Sequence, residues 1–200
     1  MGTKTTVFIL MGTLLLAGVL LLSFDFRKSL SLSEFEQHYR SVEYEAQYAK
    51  EIGNYVVKVK YRPVAYHFGK MSRGDRHIAD SLIRENDSVI FFDMKIDGLG
   101  ANSPLFEGDQ QLLEERLMYF MAKVKQDLFL VDEGETYRLL NHHLERNYNI
   151  TNAINIQLAF SKPKGEAFTF TYNDRMLGMG RLNFAMDQNE IQKNLPRINR

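Results

Sequence analysis

Residues 153–186 read AINIQLAFSKPKGEAFTFTYNDRMLGMGRLNFAM and carry the clearest structural pattern in the chain. Large apolar residues recur at every second position in three short runs, the side-chain period of a strand with one buried face. Turn-forming residues at 162–165 and 173–180 separate the runs. We expect three consecutive strands that pair as a meander. Short strands with Gly and Pro turns are typical of a β-sandwich, immunoglobulin-like or similar, so we predict a mainly β domain with a few short helices.

The rest of this domain continues with further strands and short helices. Residues 55–61 alternate with a period of two, and residues 88–96 begin with a nearly continuous apolar run, so both predict strands. Residues 111–131 predict a brief helical lead-in, then one long or bulged strand from Leu117 onward. Apolar residues at helical spacing predict a helix at 32–44, with a capping box of Ser33 and Glu36, a short surface helix within the long connection at 70–86, and a small helix from 139 to about 147. The polar tail at 188–200 is expected to fray or to dock on a partner.

An apolar run without a charged side chain, residues 5–24, stands apart from this domain. A helix rises about 1.5 Å per residue, so the run is long enough to span the ~30 Å hydrocarbon core of a bilayer. The apolar region of a secretory signal peptide is shorter, ~7–15 residues, so we favour a retained anchor over a cleaved signal, which stays the alternative. The chain then divides into an anchor at 1–26, a juxtamembrane helix or linker at 27–52 and a β-rich domain at 53–200.

Two features of the sequence bear on the orientation of this anchor in the membrane. Lys4 precedes the run and Arg27 and Lys28 follow it, so the positive-inside rule does not decide the orientation. A very short amino-terminal stub is typical of a signal anchor, which sends the following domain out of the cytoplasm. We therefore expect a single-pass protein of the inner membrane with its domain in the periplasm.

Composition excludes several classes of function. The chain has 25 basic and 25 acidic residues and no basic block, so we expect no nucleic-acid partner. It contains no cysteine, which rules out disulfides, thiolate metal sites and thiol nucleophiles. The adjacent His142 and His143 match no zinc motif, and Asp93, Asp97 and Asp109 lack the spacing of a calcium loop. We expect no catalytic residue, no metal and no cofactor, and therefore not an enzyme.

Two apolar surfaces are candidate sites for a partner protein. One is the aromatic face of the helix predicted at 32–44, and the other is the glycine-rich loop at 97–109. Their apolar side chains are Phe35, Tyr39 and Val42 on the helix and Leu99, Leu105 and Phe106 in the loop. Burying such a side chain contributes roughly 1.5–3 kcal/mol before entropic losses, so three of them can decide an association. We favour the helix as the main partner surface.

Five short motifs follow one another in the soluble part of the chain. They are YRPVAY at 61–66, ERNY at 145–148, FTF at 168–170, NDR at 173–175 and GMG at 178–180. In this order they resemble uncharacterised β-rich cell-envelope proteins of Bacteroidota, over residues 55–186. Many of those proteins begin with a lipoprotein signal, whose lipid-bearing cysteine is missing here. The resemblance implies a cell-envelope setting and no activity, so it assigns no catalytic residue.

These observations predict a membrane-anchored, non-enzymatic binding or scaffolding component of a bacterial cell-envelope assembly, for example an accessory of a secretion or motility machine. The expected partners are other envelope proteins, a second copy of the chain in a homo-oligomer, and the lipid bilayer through residues 5–24. The alternative is a small-molecule or lipid binding domain tethered to the membrane.

Overall fold

The computed structural model describes residues 29–41, 44, 48–73, 75–99, 109–145 and 153–198. The apolar run at 5–24 lies outside these ranges, as do Val42, Leu105 and Phe106 of the candidate partner surfaces. Within the described ranges no helix is both long enough and apolar enough to cross a bilayer. The membrane anchor and its orientation therefore stay predictions.

Strands dominate the described part of the chain. They are β1 (Ser29–Leu30), β2 (Ala49–Ile52), β3 (Tyr55–Arg62), β4 (Val89–Gly98), β5 (Leu128–Asp132), β6 (Glu135–Leu144), β7 (Ala153–Ser161), β8 (Ala167–Asn173), β9 (Arg181–Asp187) and β10 (Arg197–Ile198). The helices are α1 (Leu32–Tyr39), α2 (Val64–Met71), α3 (Arg76–Glu85), α4 (Gln110–Met118) and α5 (Gln188–Asn194). The prediction of a mainly β domain with a few short helices is confirmed.

The main sheet has eight strands in the order β2-β3-β4-β7-β6-β5-β8-β9, and all its neighbours are antiparallel. β6 joins the two halves: its first part pairs with β5 and its second part with β7. A register irregularity between Leu139 and Asn141 lies near this change of partner. Such a bulge bends a strand, and the sheet curls at this point. One curled sheet therefore takes the place of the two separate sheets of the predicted immunoglobulin-like sandwich.

The two halves of the curled sheet face each other across an aromatic core. Phe92 on β4 makes edge-to-face contacts with Phe160, Phe168 and Phe170, with ring centroids 5.6–6.2 Å apart. Phe170 also contacts Phe184 on β9, with centroids 6.1 Å apart. All five rings come from positions that alternate with outward-facing residues, so the period of two identified the inner face of these strands correctly.

The three strands predicted within 153–186 form at the expected places, but they do not pair as one meander. β8 lies between β5 and β9, whereas β7 lies between β4 and β6. The connection after β7 therefore crosses from one half of the sheet to the other. Two distant side chains hold it there: Asp132 accepts a hydrogen bond from the Gly165 N–H at 2.6 Å, and Gln188 donates to the Gly165 carbonyl at 2.8 Å.

The segment after α4 is helical rather than extended. α4 continues into a π turn (Tyr119–Lys123) and a 3-10 turn (Val124–Gln126) before β5 begins. Tyr119, Phe120 and Val124 are buried, and their spacing of one and four residues fits one face of a helix. The long strand predicted from Leu117 is therefore wrong up to residue 126, because apolar residues here satisfy both the helical and the strand period.

Two further segments differ from the sequence-based prediction. Residues 139–144 belong to β6 and not to a helix, because a two-residue turn at Glu133 and Gly134, both with positive φ (46° and 85°), folds the chain back against β5. Residues 64–71 form α2, which the sequence analysis did not predict. Pro63 precedes its first turn, a position where the missing N–H of proline leaves no helical hydrogen bond unmade.

The amino-terminal end of the described chain is part of the domain. Ser31 caps α1: its side chain accepts a hydrogen bond from the Glu34 N–H, and the Glu34 carboxylate accepts one from the Ser31 N–H. This capping box lies two residues before the predicted pair of Ser33 and Glu36, and α1 accordingly ends at Tyr39. Phe35 and Tyr39 belong to the same core cluster as the aromatic residues of the sheet.

The carboxyl-terminal segment docks on the domain itself. Ile191 of α5 and the following Leu195 are 3% and 7% exposed. β10 pairs in parallel with β1, which places Ile198 opposite Leu30. The tail predicted to fray or to bind a partner is therefore ordered by contacts within the chain as far as residue 198.

Candidate functional site

The structure places the main residues of the predicted partner surface in the interior. Phe35 and Tyr39 are 0% and 3% exposed, and both rings pack against Tyr66 of α2, with centroids 5.2 and 4.8 Å apart. Neither ring is open to a partner in this arrangement. Leu99, just after β4, is 56% exposed and remains available for a contact. Partner binding through the helix stays a prediction, while burial gives its two aromatic residues a role in the core.

A cleft of about 640 Å³ lies on the outer face of β3, β4 and β7. The inner face of these strands carries the buried aromatic and aliphatic residues, so the alternating side chains point into the cleft. Residues at the end of α1 and in α2 line one side of it. The volume lies within the range of ~300–1,000 Å³ that is usual for small-molecule sites.

The cleft is strongly basic. Among the described residues its lining contains six basic side chains and two acidic ones: Arg40, Lys58, Lys60, Arg62, Lys70 and Lys95 against Asp93 and Glu145. Because the whole chain has a formal net charge of zero, this lining is a local concentration of positive charge.

The basic residues of the sheet form one row on β3, next to a single lysine on β4. Lys58, Lys60 and Arg62 leave the same face of β3 at two-residue intervals, about 7 Å apart. Lys95 on β4 lies opposite Lys58 on β3. Asp97 at the rim lies 3.2 Å from the ammonium group of Lys58 and 3.1 Å from that of Lys95, so one carboxylate is shared by two cations.

The same sharing occurs where α1 and α2 meet. One oxygen of Glu36 lies 2.6 Å from the guanidinium of Arg40 and 2.7 Å from the ammonium of Lys70. The hydrogen bond from Lys70 holds the pKa of the Glu36 carboxyl below its usual value. Asp97 and Glu36 thus each lie between two cations of the cleft.

Asp93 occupies the middle of the cleft floor, and both of its carboxylate oxygens accept hydrogen bonds. Arg62 donates to both carboxylate oxygens of Asp93, from Nε at 2.9 Å and from Nη2 at 2.8 Å. The Tyr39 hydroxyl donates to Oδ2 of the same carboxylate at 2.6 Å. Burial works against the charge of Arg62, but the Asp93 carboxylate raises its pKa overall. Burial, followed by the charge of Asp93, raises the pKa of Tyr39 well above its usual value, so the hydroxyl stays protonated.

Lys60 is positioned by Tyr39. Its ammonium group donates to the Tyr39 carbonyl at 3.0 Å and lies 3.9 Å from the centroid of the Tyr39 ring. A ring face attracts a cation, so the buried tyrosine fixes the direction of the lysine side chain. Both contacts come from the same tyrosine, so Tyr39 holds the ammonium group of Lys60 at the cleft.

His67 of α2 borders the cleft as a neutral group. Its ring stacks on Phe91 with centroids 4.2 Å apart, and its buried Nδ1 has no hydrogen-bond partner within the described part of the chain. Burial, and then the neighbouring charge of Arg62, lower the pKa of His67 to about 4. At neutral pH the imidazole is uncharged, so the positive potential comes from Lys and Arg alone.

Replacing His67 with Gln should reduce the decrease in the free energy of unfolding in mild acid. The pKa of His67 is about 4 in the folded protein and about 6.5 in an unfolded chain, so the unfolded chain takes up the proton first as the pH falls. This contribution to stability is complete above pH ~6.5 and is lost between pH ~6.5 and ~4. Between pH 7 and 5 the wild type should lose on the order of 1–2 kcal/mol more than His67→Gln, allowing for screening at this half-buried site. Urea unfolding at both pH values measures the difference.

The control for this experiment is His77, which is exposed on α3. His77→Gln should keep the acid sensitivity of the wild type. Equal losses for the wild type and His67→Gln would show that the buried imidazole has no part in the acid response.

Of the histidine pair singled out in the sequence, His143 lies opposite Gln157 of β7, beside the cleft, and neither histidine belongs to the cleft lining. His142 and His143 are neighbours on β6, so their side chains leave opposite faces of the strand. Nε2 of His142 lies 3.1 Å from the Met121 carbonyl oxygen. Burial lowers the pKa of His142. Within the described ranges no three His, Asp or Glu side chains converge as metal ligands would.

The sequence analysis did not predict the residues of the cleft as a site. The signal available for them was the alternation of Lys58, Lys60 and Arg62 with Val residues on β3. Such an alternation is equally typical of an ordinary solvent-facing side of a strand. Only the fold shows that β4 and the two helices add further cations to the same face.

No protein family, no curated protein and no solved structure significantly matches this chain. The resemblance to envelope proteins of Bacteroidota therefore stays a prediction.

Proposed function

We propose that this domain binds a small anionic ligand in the basic cleft on the outer face of β3, β4 and β7. The observation that carries the proposal is the lining: within the part of the chain that the structure describes, six basic side chains and two acidic ones surround about 640 Å³, and Asp97 and Glu36 lie against four of the six cations. A concave surface of one sign focuses its potential and attracts an oppositely charged ligand.

Electrostatic energies support a binding role over a purely structural one. Two like charges ~7 Å apart repel by ~0.6 kcal/mol in water and by ~2.4 kcal/mol at an effective dielectric constant of ~20. Along β3, the carboxylates of Asp97 and Asp93 offset part of this repulsion for Lys58 and Arg62. A carboxylate or phosphate placed among these groups removes the repulsion and gains charge-assisted hydrogen bonds.

Of the two functions predicted from the sequence, the geometry favours the small-molecule binding domain. A scaffolding role has weaker support, because Phe35 and Tyr39, its main candidate residues, lie in the core. We propose a binding protein rather than an enzyme, since the central carboxylate of the cleft is already paired with Arg62 and hydrogen-bonded to Tyr39. The inner-membrane, periplasm-facing location remains part of the proposal that rests on the sequence alone.

Replacing Lys60 with Gln should weaken anion binding about tenfold. One charge-assisted hydrogen bond contributes ~1.5–3 kcal/mol, and ~1.4 kcal/mol corresponds to a factor of ten in affinity. Isothermal titration calorimetry of the full chain in mild detergent, with citrate and with pyrophosphate as probes, measures the change. Affinity should also fall as the salt concentration rises, because the site is partly exposed.

Lys123→Gln provides the matched control, since Lys123 is exposed and lies outside the cleft lining. It removes the same charge and should leave the affinity unchanged. If the wild type binds neither probe, or if both variants weaken binding equally, the cleft is not a specific anion site.

A further inference from the structure

The cleft has a second side that is not basic. On β7 the inward residues Ile154, Ile156 and Leu158 are buried, whereas the half-buried Asn155 and Gln157 face the cleft from the alternate positions. Their side chains are neutral amides, which both donate and accept hydrogen bonds. The basic strand β3 and the amide-bearing strand β7 are separated by β4.

The strand register turns this difference into an ordered row across the sheet. Lys60 lies opposite Asp93, and Asp93 lies opposite Gln157. Adjacent strands are ~4.8 Å apart, so the amide of Gln157 leaves the sheet ~10 Å from the stem of Lys60. A second row runs parallel to the first, with Lys95 opposite Asn155. The first row thus runs from the cation Lys60 past the carboxylate of Asp93 to the amide of Gln157 over about 10 Å, and the second passes from Lys95 to Asn155 over about 5 Å.

Glu145 closes the far end of this floor. Gln157 donates to the Glu145 carboxylate at 2.9 Å. The backbone N–H of Glu145 donates to the Asn155 carbonyl at 2.9 Å, which holds Glu145 beside β7. A carboxylate at this position repels the anionic part of a ligand and accepts hydrogen bonds from hydroxyl groups. The two ends of the cleft thus select different chemical groups.

We propose that the ligand is a hydroxylated anion, of the class of sugar phosphates and sugar acids. This inference rests on the proposed anion-binding function. The phosphate or carboxylate lies beside Lys60 and Lys95, and the hydroxyl groups lie against Asn155, Gln157 and Glu145. A simple inorganic anion uses only the first of these two sets, so a molecule that carries both kinds of group binds more tightly.

Four probes test this by isothermal titration calorimetry of the full chain in mild detergent: inorganic phosphate, glucose 6-phosphate, glucuronate and glucose. Glucose 6-phosphate or glucuronate should bind at least tenfold more tightly than inorganic phosphate, and glucose alone should show no measurable binding. The tighter of the two sugar anions identifies whether the anionic group is a phosphate or a carboxylate. Equal affinity for the three anions overturns this inference and leaves the proposed function standing, whereas no binding of any anion overturns both.

Two variants assign the sugar-binding side to particular residues. Gln157→Ala and Asn155→Ala should each remove most of the tenfold advantage of the sugar anion and leave the affinity for inorganic phosphate within about twofold of the wild type. Lys60→Gln should weaken phosphate and sugar anion by similar factors. The contradicting result is an amide variant that lowers the affinity for inorganic phosphate as much as that for the sugar anion, with an unchanged melting temperature. In that case the amides do not bind the hydroxyl groups, and the inference fails. Asn155→Ser serves in the same comparison if an alanine variant does not fold.

Discussion

Phe35→Ala should lower the free energy of unfolding of this domain by about 3–5 kcal/mol. Phe35 is 0% exposed and lies among aromatic neighbours, with its ring centroid 6.1 Å from that of Tyr39 and 5.2 Å from that of Tyr66. Truncation removes the burial of a large apolar side chain and leaves a cavity that rigid rings fill poorly. Urea unfolding of the wild type and the variant at pH 7 measures the difference.

The same experiment distinguishes a core residue from a partner-binding residue. Gln37, exposed on the same helix, is the control, and Gln37→Ala should change stability by less than about 0.5 kcal/mol. A Phe35→Ala protein that keeps the stability of the wild type but loses an associated protein on purification would restore the partner surface predicted from the sequence.

Asp93→Ala should lower stability by about 2–4 kcal/mol and, at the same time, strengthen anion binding. The substitution leaves the guanidinium of Arg62, only 13% exposed, without its bidentate partner and removes the acceptor of the Tyr39 hydroxyl. An uncompensated, mostly buried charge destabilises the fold. The cleft also loses the negative charge at the centre of its floor, so an anionic ligand meets less repulsion and one more available cation.

Asp97→Ala is the matched control because it removes the same charge from the same face of the sheet. Its partners Lys58 and Lys95 are 26% and 33% exposed, so solvent replaces the lost carboxylate and stability should fall by less than about 1 kcal/mol. Urea unfolding and calorimetry with pyrophosphate on both variants measure the two effects. Equal losses of stability would mean that the Asp93–Arg62 pair has no special role in the fold.

The sequence was sufficient to locate most strands because their side chains alternate strictly. Phe168 and Phe170 were identifiable as residues of one strand face from the period of two, whereas the apolar run that contains Phe91 and Phe92 predicted a strand without distinguishing its two faces. The pairing order was not predictable, because Pro163 and Gly165 specify a local change of direction and not the half of the sheet that the next strand joins. The bend in β6 decides which half of the sheet the next strand joins. This bend depends on the pairing of β6 with both β5 and β7.

The cleft was beyond sequence reasoning for a related reason. On β3 a row of basic side chains has the same pattern whether it faces bulk solvent or lines a ligand site. Its concentration of charge exists only because β4 contributes Lys95 and the helices contribute Arg40 and Lys70. The amphipathic pattern of α1 was equally ambiguous, since an aromatic face that covers its own domain looks like one that covers a partner. In both cases long-range contacts resolve the choice.

The pairing of β1 with β10 determines how the domain responds to mechanical force. β1 is the first and β10 the last of the described strands, and the two run in parallel. A pull on both ends therefore slides the strands past each other, and their hydrogen bonds carry the load together instead of opening one after another. Tension passes through this short clamp before it reaches the curled sheet or the cleft. A stretched domain is therefore expected to keep its cleft intact until the pairing of β1 with β10 breaks.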